Sequence, residues 1–280
     1  MTIRSLIKYA YFILVCALLY AASAAEGRSH DLEIDRQIDK AKQRAVDRDH
    51  KGAAESFSVI LRKDPYKTQA LKGRANAYFK IGAYEHALSD FIILRDINRK
   101  RGKSTKRENE RLALCYLHLS DFKSAVKFYT LAIAQGESTE RLAEMYRGRA
   151  LAYRDLGERQ KALADLNESV RLNPLSDRAY KDRAVLYRDA HDDKKYEADL
   201  TSCIDLHPEL ATNRENRARL YLRQKRYALA LKDADAAVSL QPGKAGLYAL
   251  RAEILEGMGE KRKAAADRDK VRAFTKELES

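Results

Sequence analysis

AEMYRGRALAYRDLGERQKALADLNESVRLNPLS, residues 143–176, reads as two short amphipathic helices joined by a turn. The first carries Tyr146, Ala150 and Tyr153 at spacings of four and three. Gly157 interrupts, and the second helix carries Ala162, Leu166 and Ser169 until Asn173-Pro174 stops it. Each apolar stripe is too narrow to close a core with its single partner. Copies of the unit must therefore stack to bury both faces.

Sliding the chain against itself by 34 residues finds those copies, at 34–67, 68–101, 106–139, 143–176, 177–210, 211–244 and 245–278. Position 8 is Ala41, Ala75, Ala113, Ala150, Ala184, Ala218 or Ala252. Position 20 is Ala53, Ala87, Ala125, Ala162, Ala230 or Ala264, with Tyr196 as the exception. Position 11 is tyrosine in five consecutive repeats, from Tyr78 to Tyr221, and position 32 holds Pro65, Pro174, Pro208 and Pro242. Small residues let two helices approach, the tyrosine fills space between neighbours, and proline cannot continue the helical hydrogen-bond ladder. The period, the helix–turn–helix form and these positions resemble the tetratricopeptide repeat. The resemblance implies an all-α, right-handed superhelical solenoid over residues 34–280, in which each first helix lines a concave groove.

Residues 1–25 stand apart. Arg4 and Lys8 precede an apolar run from Tyr9 to Ala22, and Ala22-Ser23-Ala24 offers small residues for cleavage. This is the pattern of a secretory signal peptide. An uncleaved anchor is the alternative, since residues 9–25 nearly span a bilayer. Either reading places the repeats in the periplasm or outside the cell, with membrane attachment only if residues 9–25 are retained. Residues 26–33 are a polar lead-in, with Ser29 or Asp31 available as a helix cap. Repeat 1, with Gln37 and Arg44 at usually apolar or aromatic positions, suits an N-terminal cap. Repeat 7, with Arg268 at the otherwise apolar position 24, caps the other end. Little apolar surface is left there for association, so a monomer is expected. The extra residues Gly102–Thr105 and Glu140–Leu142 between repeats are expected to lengthen helices.

Arginine at position 7 and aspartate at position 23 occur together, as Arg74/Asp90, Arg149/Asp165, Arg183/Asp199, Arg217/Asp233 and Arg251/Asp267. The two repeats that lack one also lack the other, with Lys40/Ser56 and Leu112/Phe128. Joint presence and absence predicts an ion pair in each repeat. If exposed, such a pair contributes roughly 0–1 kcal/mol and mainly sets register. Cys115 and Cys203 read as small buried side chains, not as a bridge.

No phosphate loop, metal-ligand spacing or activated nucleophile is present, and no cofactor or enzyme activity is expected. His118 reads as a lone surface histidine. The family's groove positions 2, 5, 9, 12 and 13 carry the functional expectation. They place Lys72, Asn76, Arg107, Arg147, Leu151, Arg154, Arg178, Lys181, Val185, Arg188, Arg219, Leu222 and Arg223 in contact with a partner. Together with the net charge of +13, of which Arg4 and Lys8 lie in the leader, this suggests a basic groove for an extended acidic peptide. The cations of repeats 4–6 are expected to repel one another until such a ligand neutralises them. A two-carboxylate clamp like that of some cytosolic co-chaperones starts at Lys72 and Asn76. It fails at Arg111, where that clamp has asparagine. An anionic polymer is the other candidate ligand, and nucleic acid is disfavoured by the interleaved acids and the export signal.

Overall fold

Two alanines per repeat decide how closely the helices pair. In the computed structural model, which describes residues 32–279, all regular structure is helical. The helices are α1 (32–46), α2 (His50–Lys63), α3 (Thr68–Lys80), α4 (Tyr84–Lys100), α5 (Lys106–His118), α6 (Phe122–Ala134) and α7 (Thr139–Asp155). They continue with α8 (Arg159–Leu172), α9 (Asp177–Asp189), α10 (Asp193–Leu206), α11 (Ala211–Arg223), α12 (Tyr227–Leu240), α13 (Ala245–Gly257) and α14 (Lys261–Glu279). The chain divides between Gln135 and Gly136 into two compact units, α1–α6 and α7–α14. Within each unit every helix packs on the next. The signal-peptide segment and most of the lead-in lie outside the described residues.

The position-8 alanines are all fully or nearly fully buried, as are the six at position 20. A larger side chain at either place would push the paired helices apart. Gly73 takes this further. A Cβ there would lie 2.2 Å from the Phe57 ring, so only glycine lets α3 close on α2.

Position 15 ends each first helix in the left-handed region in all seven repeats. Gly82, Gly157 and Gly259 adopt it without steric cost, while Arg48, Ser120, His191 and Lys225 adopt it against their Cβ. The next amide then bonds back to the position-11 carbonyl, as from Ala83 to Tyr78 at 2.9 Å and from Asp192 to Tyr187 at 2.9 Å. Asp49, Asp121 and Asp192 at position 16 also cap the second helix by accepting from a backbone amide three residues on. The turn is thus held even where glycine is missing.

Helix length follows the stop signals. Where proline occupies position 32, the second helix has 14 residues; α4 lacks it and runs for 17. Glu140–Leu142 extend α7 to 17 residues, as expected. Gly102–Thr105 do not lengthen a helix: Gly102, with φ of 64°, turns the chain into a loop.

All five arginine–aspartate pairs form, and each is bidentate. Arg183 Nε and Nη2 donate to Asp199 Oδ2 and Oδ1 at 3.0 and 2.6 Å, and the other four repeats match. They are not the exposed pairs the sequence suggests, since the aspartates are only 2–6% exposed. Position 23 faces the first helix, one turn above the position-20 alanine, where solvent is excluded. The third arginine nitrogen reaches back to position 25 of the preceding repeat. It meets Ser58, Asn167, Thr201 and Asp235 at 3.2, 2.9, 2.9 and 2.8 Å. Each guanidinium also lies 5.4–5.9 Å from a tyrosine ring of its own first helix. One arginine therefore ties two helices of a repeat to each other and to the repeat before. In repeat 1 Arg44 donates to Ser56 instead, and in repeat 3 Phe128 stacks on Tyr116 at 5.4 Å.

Cys115 and Cys203 are buried and free, and burial pushes their thiols up to about 12 and about 11. From Lys261 to Thr275 the exposed side chains of α14 are polar or small, which suits the end of a stack.

Candidate functional site

The first helices bury position 8 in every repeat and positions 3 and 10 in most, which leaves 2, 5, 9, 12 and 13 half-buried or exposed in most repeats. In the first unit this face is built by α3 and α5. Lys72, Asn76 and Lys80 stand on α3 and Arg107 on α5, where Glu110 occupies position 5 and the exposed Arg111, at position 6, borders the five groove positions. None of these four cations has a carboxylate partner among the described residues, and Asn76 makes no side-chain hydrogen bond with them.

Aromatic rings lie among these charges. His118 is not alone: it stacks on Tyr84, with ring centroids 4.3 Å apart and planes 2° from parallel. Phe79 meets both rings edge-on, at 5.3 Å from Tyr84 and 5.7 Å from His118. The Arg111 guanidinium sits 5.9 Å from the Phe79 centroid. The arrangement offers positive charge beside a flat, half-exposed apolar surface.

The second unit differs. Arg147 donates to Asp182 at 2.9 Å and to Glu144 at 3.1 Å. Arg154 bonds Asp155 at 2.8 Å, Lys181 bonds Asp177 at 2.8 Å, and Arg188 bonds Asp189 at 3.0 Å. Arg219 reaches Glu215 at 2.9 Å, and Arg223 pairs with Asp193. Of the seven cations the sequence places here, only Arg178 has no carboxylate partner among the described residues. The expected mutual repulsion is therefore absent. Its premise fails because groove acids Glu144, Asp155, Asp189 and Glu215 already pair with their neighbours, and Asp177, Asp182 and Asp193, at positions 1, 6 and 17 outside the groove set, supply the rest.

Electrostatics agree with the geometry. The hydrogen bond from Lys181 holds the Asp177 carboxyl below its ordinary value. Burial pushes the Glu215 carboxyl up, but hydrogen bonds from Lys244 and Arg219 outweigh it and leave it low. Leu151, Val185 and Leu222 are half-buried between these pairs.

A cavity of about 380 Å³ opens on this face between α9 and α11, with α10 behind it. Lys181, Val185 and Arg188 line it, joined by Tyr196, Asn213 and Asn216, which the groove positions do not include. Tyr196 is the one departure from alanine at position 20, and that is the signal that could have found it. No group of three or more histidine, cysteine or acidic side chains among the described residues suits a metal ion. No described helix is long and apolar enough to cross a membrane.

Comparison with known proteins bears on this face. A family profile described as tetratricopeptide repeat matches residues 143–174. No curated protein sequence matches the chain. A tetratricopeptide repeat protein from Parabacteroides merdae ATCC 43184 is similar in structure, with a TM-score of 0.60 and 23% identity over 86% of this chain and 93% of its own. MamA from Desulfovibrio magneticus RS-1 gives 0.54 and 15%, over 62% of this chain and 97% of its own. YrrB, described as a tetratricopeptide repeat protein with an unusual peptide-binding site, gives 0.52 and 17%, over 68% and 94%. At these identities the likeness concerns the fold. One repeat is matched by the family profile, six further copies stand in register with it, and the chain shares the paired-helix fold of these tetratricopeptide-repeat structures.

Proposed function

We propose that the chain is an exported scaffold that docks an extended, acidic segment of a partner protein on the accessible faces of its first helices. The observation that carries this is the set Lys72, Lys80, Arg107 and Arg111, four cations on α3 and α5 that no described carboxylate neutralises. With Glu110 the one acid at the groove positions of α3 and α5, the face carries an excess of positive charge, which steers an oppositely charged segment and speeds its association. Phe79, Tyr84 and His118 then supply apolar contact that fixes register. YrrB, a solved relative in fold, is described as binding a peptide, which supports the same class of ligand here. Catalysis has no part in this reading.

Export rests on residues 1–25. N-terminal sequencing of the mature chain is expected to start at Ala25 or Glu26; an intact Met1 end in the membrane fraction overturns the processed form in favour of the anchor. The partner class is tested by raising salt on the complex recovered from the envelope fraction. A protein segment held at a few charged contacts gives a shallow loss of affinity. An anionic polymer, with many phosphates or sulfates neutralised at once, gives a steep logarithmic slope and contradicts the protein reading.

A further inference from the structure

We infer that the cavity beside Tyr196 is a subsite for one large, uncharged apolar side chain of the docked segment, an inference that rests on the docking reading above. Its floor is made by Ala184, Val185, Leu200 and Leu210. A volume of about 380 Å³ falls within the roughly 300–1,000 Å³ range of ligand pockets, large enough for a leucine- or phenylalanine-sized group. Tyr196 builds the wall. Where six repeats place a methyl group against the first helix, this one places a ring, packed in a cluster with Ala184, Tyr187, Leu200 and Leu220.

Charge decides what enters. Lys181 and Arg188 at the rim are already bonded to Asp177 and Asp189, so the rim offers a charged side chain no net attraction. Such a side chain would still lose its hydration against the apolar floor. An apolar side chain loses nothing and removes its own surface from water. The Tyr196 hydroxyl and the Asn216 carboxamide make no hydrogen bond with the described residues, although both stand at the cavity. They are placed to bond the backbone on either side of the inserted group, as an extended segment requires.

The test pans a phage-displayed library of random dodecapeptides against the immobilised full chain. A peptide from the enriched set is then synthesised with a fluorescent label, in native form and with its apolar residue replaced by glycine. Enriched sequences are expected to share one leucine, isoleucine, methionine or phenylalanine beside acidic residues. Glycine there should weaken binding about 10-fold on the native chain. On Val185→Lys, which places an ammonium in the floor, the same replacement should change affinity less than about twofold. Tyr196→Phe should keep the apolar preference, and Tyr196→Ala should lose it, with helicity and melting recorded for both. Acidic sequences with no apolar requirement overturn the subsite and leave the docking reading standing. Enriched sequences with an apolar residue but no acids sink the docking reading and keep the subsite. An apolar requirement undiminished on Val185→Lys overturns the subsite, and a selection that enriches nothing counts against both.

Discussion

Replacing Arg183 by leucine is expected to lower the unfolding free energy by about 3–5 kcal/mol, because it strands the Asp199 carboxylate where little solvent reaches it. Melting should fall by roughly 10 °C for a unit of this size. Adding Asp199→Phe to that variant should recover most of the loss. Repeat 3 already contains this exchange: Leu112 and Phe128 occupy the same two positions, and the ring stacks on Tyr116. Burial pushes the Asp199 carboxyl above its ordinary value, more strongly than Arg183 pulls it down. A carboxyl so raised contributes most when protonated and less as pH climbs past the ordinary carboxylate range. Taking both charges out of water offsets much of what the pair gains, so an apolar pair of similar volume replaces it at little cost. Denaturant unfolding of the two single variants and the double gives the coupling directly. Strictly additive losses would show that the bidentate pair carries no interaction of its own.

Reversing Lys72, Arg107 and Arg111 together to glutamate is expected to weaken partner binding by about 100-fold or more, because like charges brought together at an interface cost several kcal/mol. Folding should be nearly unaffected, since none of the three has a carboxylate partner among the described residues whose loss would be felt. The same triple change at Arg154, Arg188 and Arg223 acts on different physics. These cations are already neutralised by Asp155, Asp189 and Asp193, so their reversal removes little attraction for an acidic segment. Each exposed pair lost there costs roughly 0–1 kcal/mol of stability. Affinity measured for both variants against the native chain separates the two faces. Equal losses would return the electrostatic anchor to repeats 4–6.

The fold was legible because each repeat poses the same packing problem and solves it with the same residues. Alanine at positions 8 and 20 and proline at 32 report helix approach and helix end without any knowledge of the rest of the chain. Joint occurrence of Arg183 with Asp199 and its four counterparts likewise revealed a contact across 16 residues. Their burial was not legible, since it depends on how tightly the position-20 alanine lets the helices close. The turn was half legible: glycine marks position 15 in three repeats, while His191 and Lys225 hide the same left-handed backbone.

The docking face was less legible for a related reason. A list of groove positions says which side chains are accessible, not which of them are already paired. Arg147 meets Asp182 at position 6 of the next repeat, and Arg223 meets Asp193 at position 17 of the previous one. The stack of His118 on Tyr84 links the same two positions, 13 and 17, three repeats earlier. Two cross-repeat rules thus account for the pairing of Arg147 and Arg223 and for the His118–Tyr84 stack, while Arg154, Lys181, Arg188 and Arg219 pair within their own repeats. Both become visible only once neighbouring repeats are placed side by side.

The central claim is that the accessible faces of the first helices are where the partner lies. Photo-crosslinking amino acids placed one at a time at Asn76, His118 and Val185 test it, with Ile93, Leu131 and Leu229 on exposed second-helix surfaces as the comparison. The account predicts that the partner is captured from the first three positions and from none of the last three. Capture from Ile93, Leu131 or Leu229 with none from the first helices would contradict it.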